Sequence, residues 1–86
     1  MSVREVTVSA SEGLHARPAS LFVQAAKATG LDVTIAKEGK EPVSATSILK
    51  VLSLGVRQGD VVTLEAQGEG ADEALDTLVK ALEESE

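Results

Sequence analysis

The sequence predicts an α+β fold, a two-layer sandwich in which a four-stranded antiparallel sheet is covered on one face by three helices. Three observations carry this. Apolar residues recur with period two in some segments and with helical spacing in others, in the order β-α-β-β-α-β-α. Each helical segment has an apolar side that must be buried against a sheet. The strands pair that apolar face with a second face rich in Thr, Ser and Glu, which can stay in water.

Val6, Val8 and Ala10 alternate with Glu5, Thr7 and Ser9, the pattern of a half-buried strand. Ala19, Phe22, Val23 and Ala26 then fall on one face of a helix, and Gly30 is placed to end it. Leu31, Val33 and Ile35 alternate with Asp32 and Thr34 as a second strand. Glu38-Gly39 is a turn signal, and residues 40–44 make a short third strand. Pro42 confines that strand to an edge or an irregular stretch. Ser47 precedes the compact run Ile48-Leu49-Lys50-Val51-Leu52, closed by Gly55. This reads as a short helix with Ser47 as its N-cap. Gln58-Gly59-Asp60 turns into a fourth strand, with Val62, Leu64 and Ala66 on one side. Ala71, Ala74, Leu75, Leu78, Val79 and Leu82 form the last helical stripe, with Asp72 and Glu73 in its first turn.

Composition narrows the function. Eighty-six residues make one domain, residues 1–86, with one small core. There is no cysteine and only one histidine, so disulfides, thiol nucleophiles and histidine-rich metal sites are excluded, and no metal or cofactor is expected. No apolar run spans a bilayer and no signal core opens the chain, which makes the cytoplasm the expected location. A net charge of -6 argues against nucleic acid and anionic membranes as partners. The charge is uneven. Arg17, Lys27, Lys37, Lys40, Lys50 and Arg57 outnumber Asp32, Glu38 and Glu41 in the middle of the chain. Beyond residue 57, Lys80 stands alone against nine acids. A mildly basic face inside an acidic protein suits an acidic partner or a phosphate.

The single histidine lies in Gly13-Leu14-His15-Ala16-Arg17-Pro18-Ala19-Ser20. Pro18 fits the first turn of a helix, where its missing N–H has no intrahelical partner. An imidazole and a guanidinium therefore meet at a helix start. The first N–H groups there lack acceptors and the dipole is positive. Neutral imidazole is a nitrogen nucleophile near pH 7. Arg17 offers a planar fork for phosphate oxygens. This arrangement points to His15 taking up a phosphoryl group and passing it on.

The same segment resembles the active-site stretch of the HPr family, the histidine-containing phosphocarriers of the bacterial phosphoenolpyruvate:sugar phosphotransferase system. A second stretch, Ser47-Ile48-Leu49-Lys50-Val51-Leu52-Ser53-Leu54-Gly55, is similar to that family's regulatory-site helix. The resemblance implies an open-faced β-sandwich. It implies that His15 accepts a phosphoryl group on Nδ1 from enzyme I and donates it to an enzyme IIA domain. Arg17 would clamp the phosphoryl oxygens, helped by the backbone N–H groups of Ala16 and Arg17. Ser47 corresponds to the serine modified by HPr kinase/phosphorylase in many Gram-positive relatives, although Thr46 stands where those relatives commonly carry a basic residue.

The short second helix is too apolar for one buried face. Val51 and Leu54 are expected in the core. Ile48, Leu49 and Leu52, with Leu21 on the outer face of the first helix, are expected to form a partner surface beside His15. Small interfaces suit a monomeric carrier that must leave each partner quickly. Competing readings are a paralogous carrier in a nitrogen-related or dihydroxyacetone-kinase relay, a small phosphate-ester or acyl-phosphate hydrolase, and a binding protein with an incidental histidine. No second acid or base for an enzyme stands out near His15.

Overall fold

A computed structural model describes residues 2–8 and 16–83. The elements follow the expected order: β1 (Ser2–Thr7), α1 (Ala16–Ala28), β2 (Val33–Lys37), β3 (Val43–Ser44), α2 (Ile48–Ser53), β4 (Val61–Ala66) and α3 (Ala71–Glu83). The four strands form one antiparallel sheet in the order β1-β4-β2-β3.

Register places Val6, Val62, Leu64, Ala66, Val33 and Ile35 on one face, where all are buried. Phe22, Val23 and Ala26 of α1, Val51 of α2 and Leu75, Leu78 and Leu82 of α3 close over them. This is the strongest hydrophobic term in the fold, because it removes large aliphatic surfaces from water. The opposite face carries Glu5, Thr7, Thr63, Glu65 and Thr34, at which the sheet remains open.

The boundaries differ from the sequence pattern for local reasons. β3 is two residues rather than five, an edge strand starting just after Pro42, which has no N–H to pair. Paired residues in β2 begin at Val33, while Leu31 packs partly against the core from outside the strand. β1 ends at Thr7. Val8 continues past it and bonds turn backbone instead, and the expected strand position Ala10 lies outside the described residues. Gly30, at φ 71°, takes the left-handed conformation that ends α1, and its N–H donates to Lys27 O at 3.2 Å.

Polar contacts fasten β1 to α3 and cap α2. Arg4 of β1 reaches α3, with Nη2 3.3 Å from Asp72 Oδ1 and Nε 3.2 Å from Asp76 Oδ1. At the start of α2, Ser47 Oγ accepts from Lys50 N at 3.5 Å, from an extended backbone at φ -112° and ψ 111°. That is N-cap geometry, at the long end of its range. Ser47→Ala is therefore expected to lower stability by about 0.5–1 kcal/mol, read from urea unfolding. An unchanged urea midpoint would show that the cap bond contributes nothing.

Candidate functional site

α1 begins as the sequence requires. Ala16 opens the helix, Arg17 follows on its exposed side, and Pro18 and Ala19 are buried beneath. Pro18 costs no hydrogen bond in this first turn. The buried Pro18-Ala19 pair and the next core turn, Phe22 and Val23, fix the rotation of the helix. That rotation leaves Arg17, Leu21 and Gln24 on the solvent side. Gln24 Nε2 donates to Ser20 Oγ at 3.4 Å, so those polar groups satisfy each other along the outer face. Among the described residues, no carboxylate lies within ion-pairing distance of Arg17. His15, with Gly13 and Leu14, lies outside the described residues.

The expected apolar surface is graded rather than uniform. Leu49 is 78% exposed and Leu21 58% exposed. Ile48 and Leu52 are half-buried and pack partly against the core. Val51 and Leu54 are buried, as expected. The gradation follows from α2 lying against both α1 and β3: of its apolar residues only Leu49 shares the exposed side with Lys50 and Ser53.

Ser47 is half-buried under the first turn of α2. Just before it, Thr46 and Ser44 share a hydroxyl bond of 2.8 Å, and Thr46 N donates to Ser44 Oγ at 3.3 Å. Thr46 is thus tied into the end of β3.

A second polar cluster escaped the sequence reading. Lys37 Nζ lies 3.3 Å from Asp60 Oδ2 and donates to Gly55 O at 3.2 Å. Asp60 Oδ2 also accepts from Arg57 N at 2.8 Å. The Arg57 N–H bond, and then Lys37, hold the Asp60 carboxyl below its ordinary value of 3.8. The Gln58-Gly59-Asp60 turn signal locates the loop. Nothing in local pattern links it to a lysine at the end of β2.

Among the described residues, no group of three His, Cys, Asp or Glu side chains is placed to hold a metal, and no helix is long and apolar enough to cross a membrane. Grooves occur on the open sheet at Asp32, Thr34, Glu65 and Gln67, and between α1 and α3 near Ala25, Leu31 and Glu73. Neither is lined by Arg17. The guanidinium stands on open surface.

Comparison with known proteins agrees over nearly the whole chain. Residues 2–84 match the family described as PTS HPr component phosphorylation site. A phosphocarrier protein HPr of Streptomyces coelicolor is 52% identical over 84 residues, covering 98% of this chain and 90% of that one. The crystal structure of a phosphocarrier protein HPr from Bacillus anthracis superposes with a TM-score of 0.89 at 38% identity, covering 95% of this chain and 96% of that one. Crh, a catabolite-repression protein of Bacillus subtilis described as a domain-swapped dimer, superposes with a TM-score of 0.73 at 45% identity, covering 95% and 93%.

Proposed function

Because the chain belongs to the HPr family of phosphotransferase-system phosphocarriers, we propose that it relays phosphoryl groups from enzyme I to enzyme IIA domains through His15. Residues 1–86 act as one carrier domain, monomeric and cytoplasmic, with no cofactor. The observation that carries this is the exposed Arg17 in the first turn of α1, with no ion pair among the described residues, two residues beyond the only histidine in the chain. In the first step, Nδ1 of neutral His15 attacks the phosphorus held on enzyme I. The enzyme I–phosphorus bond breaks as the His15 N–P bond forms. The second step repeats this with enzyme IIA as the attacking partner. Arg17 and the N–H groups of Ala16 and Arg17 balance the phosphoryl oxygens throughout. An open site with one nucleophile and one clamp suits a carrier, since each partner completes the transition-state stabilisation.

Incubation with enzyme I and phosphoenolpyruvate tests the reading. One acid-labile phosphoryl group per chain, discharged by enzyme IIA, is the expected result. Continuous phosphate release instead would identify a hydrolase, and no labelling a binding protein.

Leu21, Ile48, Leu49 and Leu52 form the partner surface. Leu49→Glu places a charge on the most exposed of them, where it costs the fold little but must be desolvated on docking. Its KM for enzyme I is expected to rise about tenfold or more, with the melting temperature unchanged. An unaltered KM would remove Leu49 from the interface.

Ser47 is the regulatory position, modified by an HPr kinase/phosphorylase. A phosphate there meets the start of α2, so the fold tolerates it, while its charge enters the apolar surface that partners use. Ser47→Asp is expected to melt no lower than Ser47→Ala and to accept phosphoryl groups from enzyme I more slowly than the parent. Equal rates would leave Ser47 as a helix cap.

A further inference from the structure

We propose that Lys37 and Asp60 are positioning residues for partner docking, tying the C-terminal end of α2, the helix that carries Ile48, Leu49 and Leu52, to the interior strands of the sheet. The proposal rests on the reading of those apolar residues as the partner surface. α2 needs an external hold. Its six residues are too few for a helix to persist on its own hydrogen bonds. It packs on α1 and on β3, and β3 is a two-residue edge strand. Val51 alone of its six residues is buried. Leu54 and Val56, just past the helix, are buried as well, and the exposed Gly55 lies between them.

A chain of polar contacts runs from α2 to the sheet through Gly55. Gly55 N donates to Leu52 O at 3.2 Å, and at φ 66° the glycine takes the left-handed backbone usual at a helix end. Its carbonyl accepts from Lys37 Nζ at 3.2 Å. One residue is therefore bonded through its N–H to a residue of the docking surface and through its carbonyl to Lys37. Lys37 ends β2 and sits opposite Val62 of β4, and both strands are interior to the sheet. Lys37 Nζ also lies 3.3 Å from Asp60 Oδ2. Asp60 directly precedes β4; its carboxylate accepts from Arg57 N at 2.8 Å, and its N–H donates to Arg57 O at 3.0 Å. Lys37 thus bridges both ends of the connection between α2 and β4. The two side chains are 25% and 31% exposed, so the pair is partly sheltered from the screening that weakens fully exposed ion pairs. Without the bridge, the end of α2 samples orientations in which its outer residues no longer match a partner, and apparent affinity falls with the competent fraction. Arg17 takes no part in these contacts, so the loss falls on docking and spares the rate within the docked complex.

Two variants test this. Lys37→Met keeps the aliphatic stem but loses the bonds to Gly55 and Asp60, and Asp60→Asn keeps an acceptor for Arg57 N but loses the charge. Transfer from phosphorylated enzyme I is measured over a range of carrier concentrations, at a temperature where each variant is folded. Hydrogen exchange of the Leu54 and Gly55 amides is followed in parallel. For Lys37→Met the expected result is a KM for enzyme I raised about three- to fivefold with kcat within about twofold, and faster exchange of both amides. Asp60→Asn should raise KM in the same direction by less, and it carries the test if Lys37→Met fails to fold. A through-space charge effect would instead move the two KM values in opposite directions, since one variant loses a cation and the other an anion; that outcome overturns the proposal. Parental KM in both variants overturns it, as does a loss confined to kcat. A raised KM with parental exchange at Gly55 overturns it too, by making Lys37 a direct partner contact. Leu49→Glu, measured alongside, tests the reading beneath. If its KM is parental, the partner surface is misassigned and the positioning role falls with it; if its KM alone rises, only the positioning role falls.

Discussion

His15→Ala is expected to abolish phosphoryl uptake from enzyme I while the domain remains folded. The chain offers no substitute nucleophile of the same kind, since it has one histidine and no cysteine. Serine and threonine hydroxyls are far weaker nucleophiles at neutral pH without an adjacent base to take their proton. A phosphoryl group on imidazole nitrogen is acid-labile, whereas a phosphate ester on Ser47 survives acid, so the two products separate chemically. Intact-mass measurement at neutral pH should therefore show one phosphoryl group per parent chain and none on the variant. Urea unfolding checks the fold, and a change within about 0.5 kcal/mol is expected, the usual size for a substitution that removes no core packing. Among the described residues, the buried cluster that stabilises the domain is built from Phe22, Ile35, Leu64, Leu75, Leu78 and their neighbours. Undiminished acid-labile labelling of the variant would show that another group accepts the phosphoryl.

The helices were the most legible part of the chain. In α1 and α3 the apolar stripe is long enough to fix both the element and its buried face, and Phe22, Leu75 and Leu78 are buried as the spacing predicts. Ser47 was readable as a cap because capping is local chemistry, complete within three residues. Strand order was not readable. That β4 lies between β1 and β2 depends on pairings such as Val6 with Val62 and Ile35 with Leu64, which alternation alone does not select. The same limit hid the Lys37–Asp60 pair, whose members sit in separate elements and meet only through the sheet. The exposure of α2 was partly misjudged for a related reason. Six residues packed against two neighbours leave Ile48 and Leu52 half-covered, and a one-dimensional pattern counts only the helix's own faces. Around the candidate site, Pro18 in the first turn of α1 and the outward face of Arg17 followed from the sequence, while the burial of Pro18 did not.

Arg17→Ala is expected to slow phosphoryl transfer by roughly two to three decades, the usual loss when one fixed charged or hydrogen-bonding group is withdrawn from a developing anion. Its position explains why the loss should fall on rate rather than stability. The side chain is exposed in the first turn of α1 and has no ion-pairing carboxylate among the described residues, so its removal breaks no ion pair among them. A cation at a helix N-terminus also opposes the dipole, and alanine is the better helix former. The melting temperature should therefore hold or rise slightly. Arg17→Lys separates charge from geometry: it keeps the cation and loses the planar fork, and an intermediate rate is expected. Single-turnover transfer from phosphorylated enzyme I supplies the rates, with KM and kcat resolved by varying the carrier. A loss carried by kcat identifies a group that acts on the phosphoryl oxygens. A loss carried by KM alone would make Arg17 a docking residue, and a parental rate in Arg17→Ala would show that the helix N–H groups stabilise the transferring group without it.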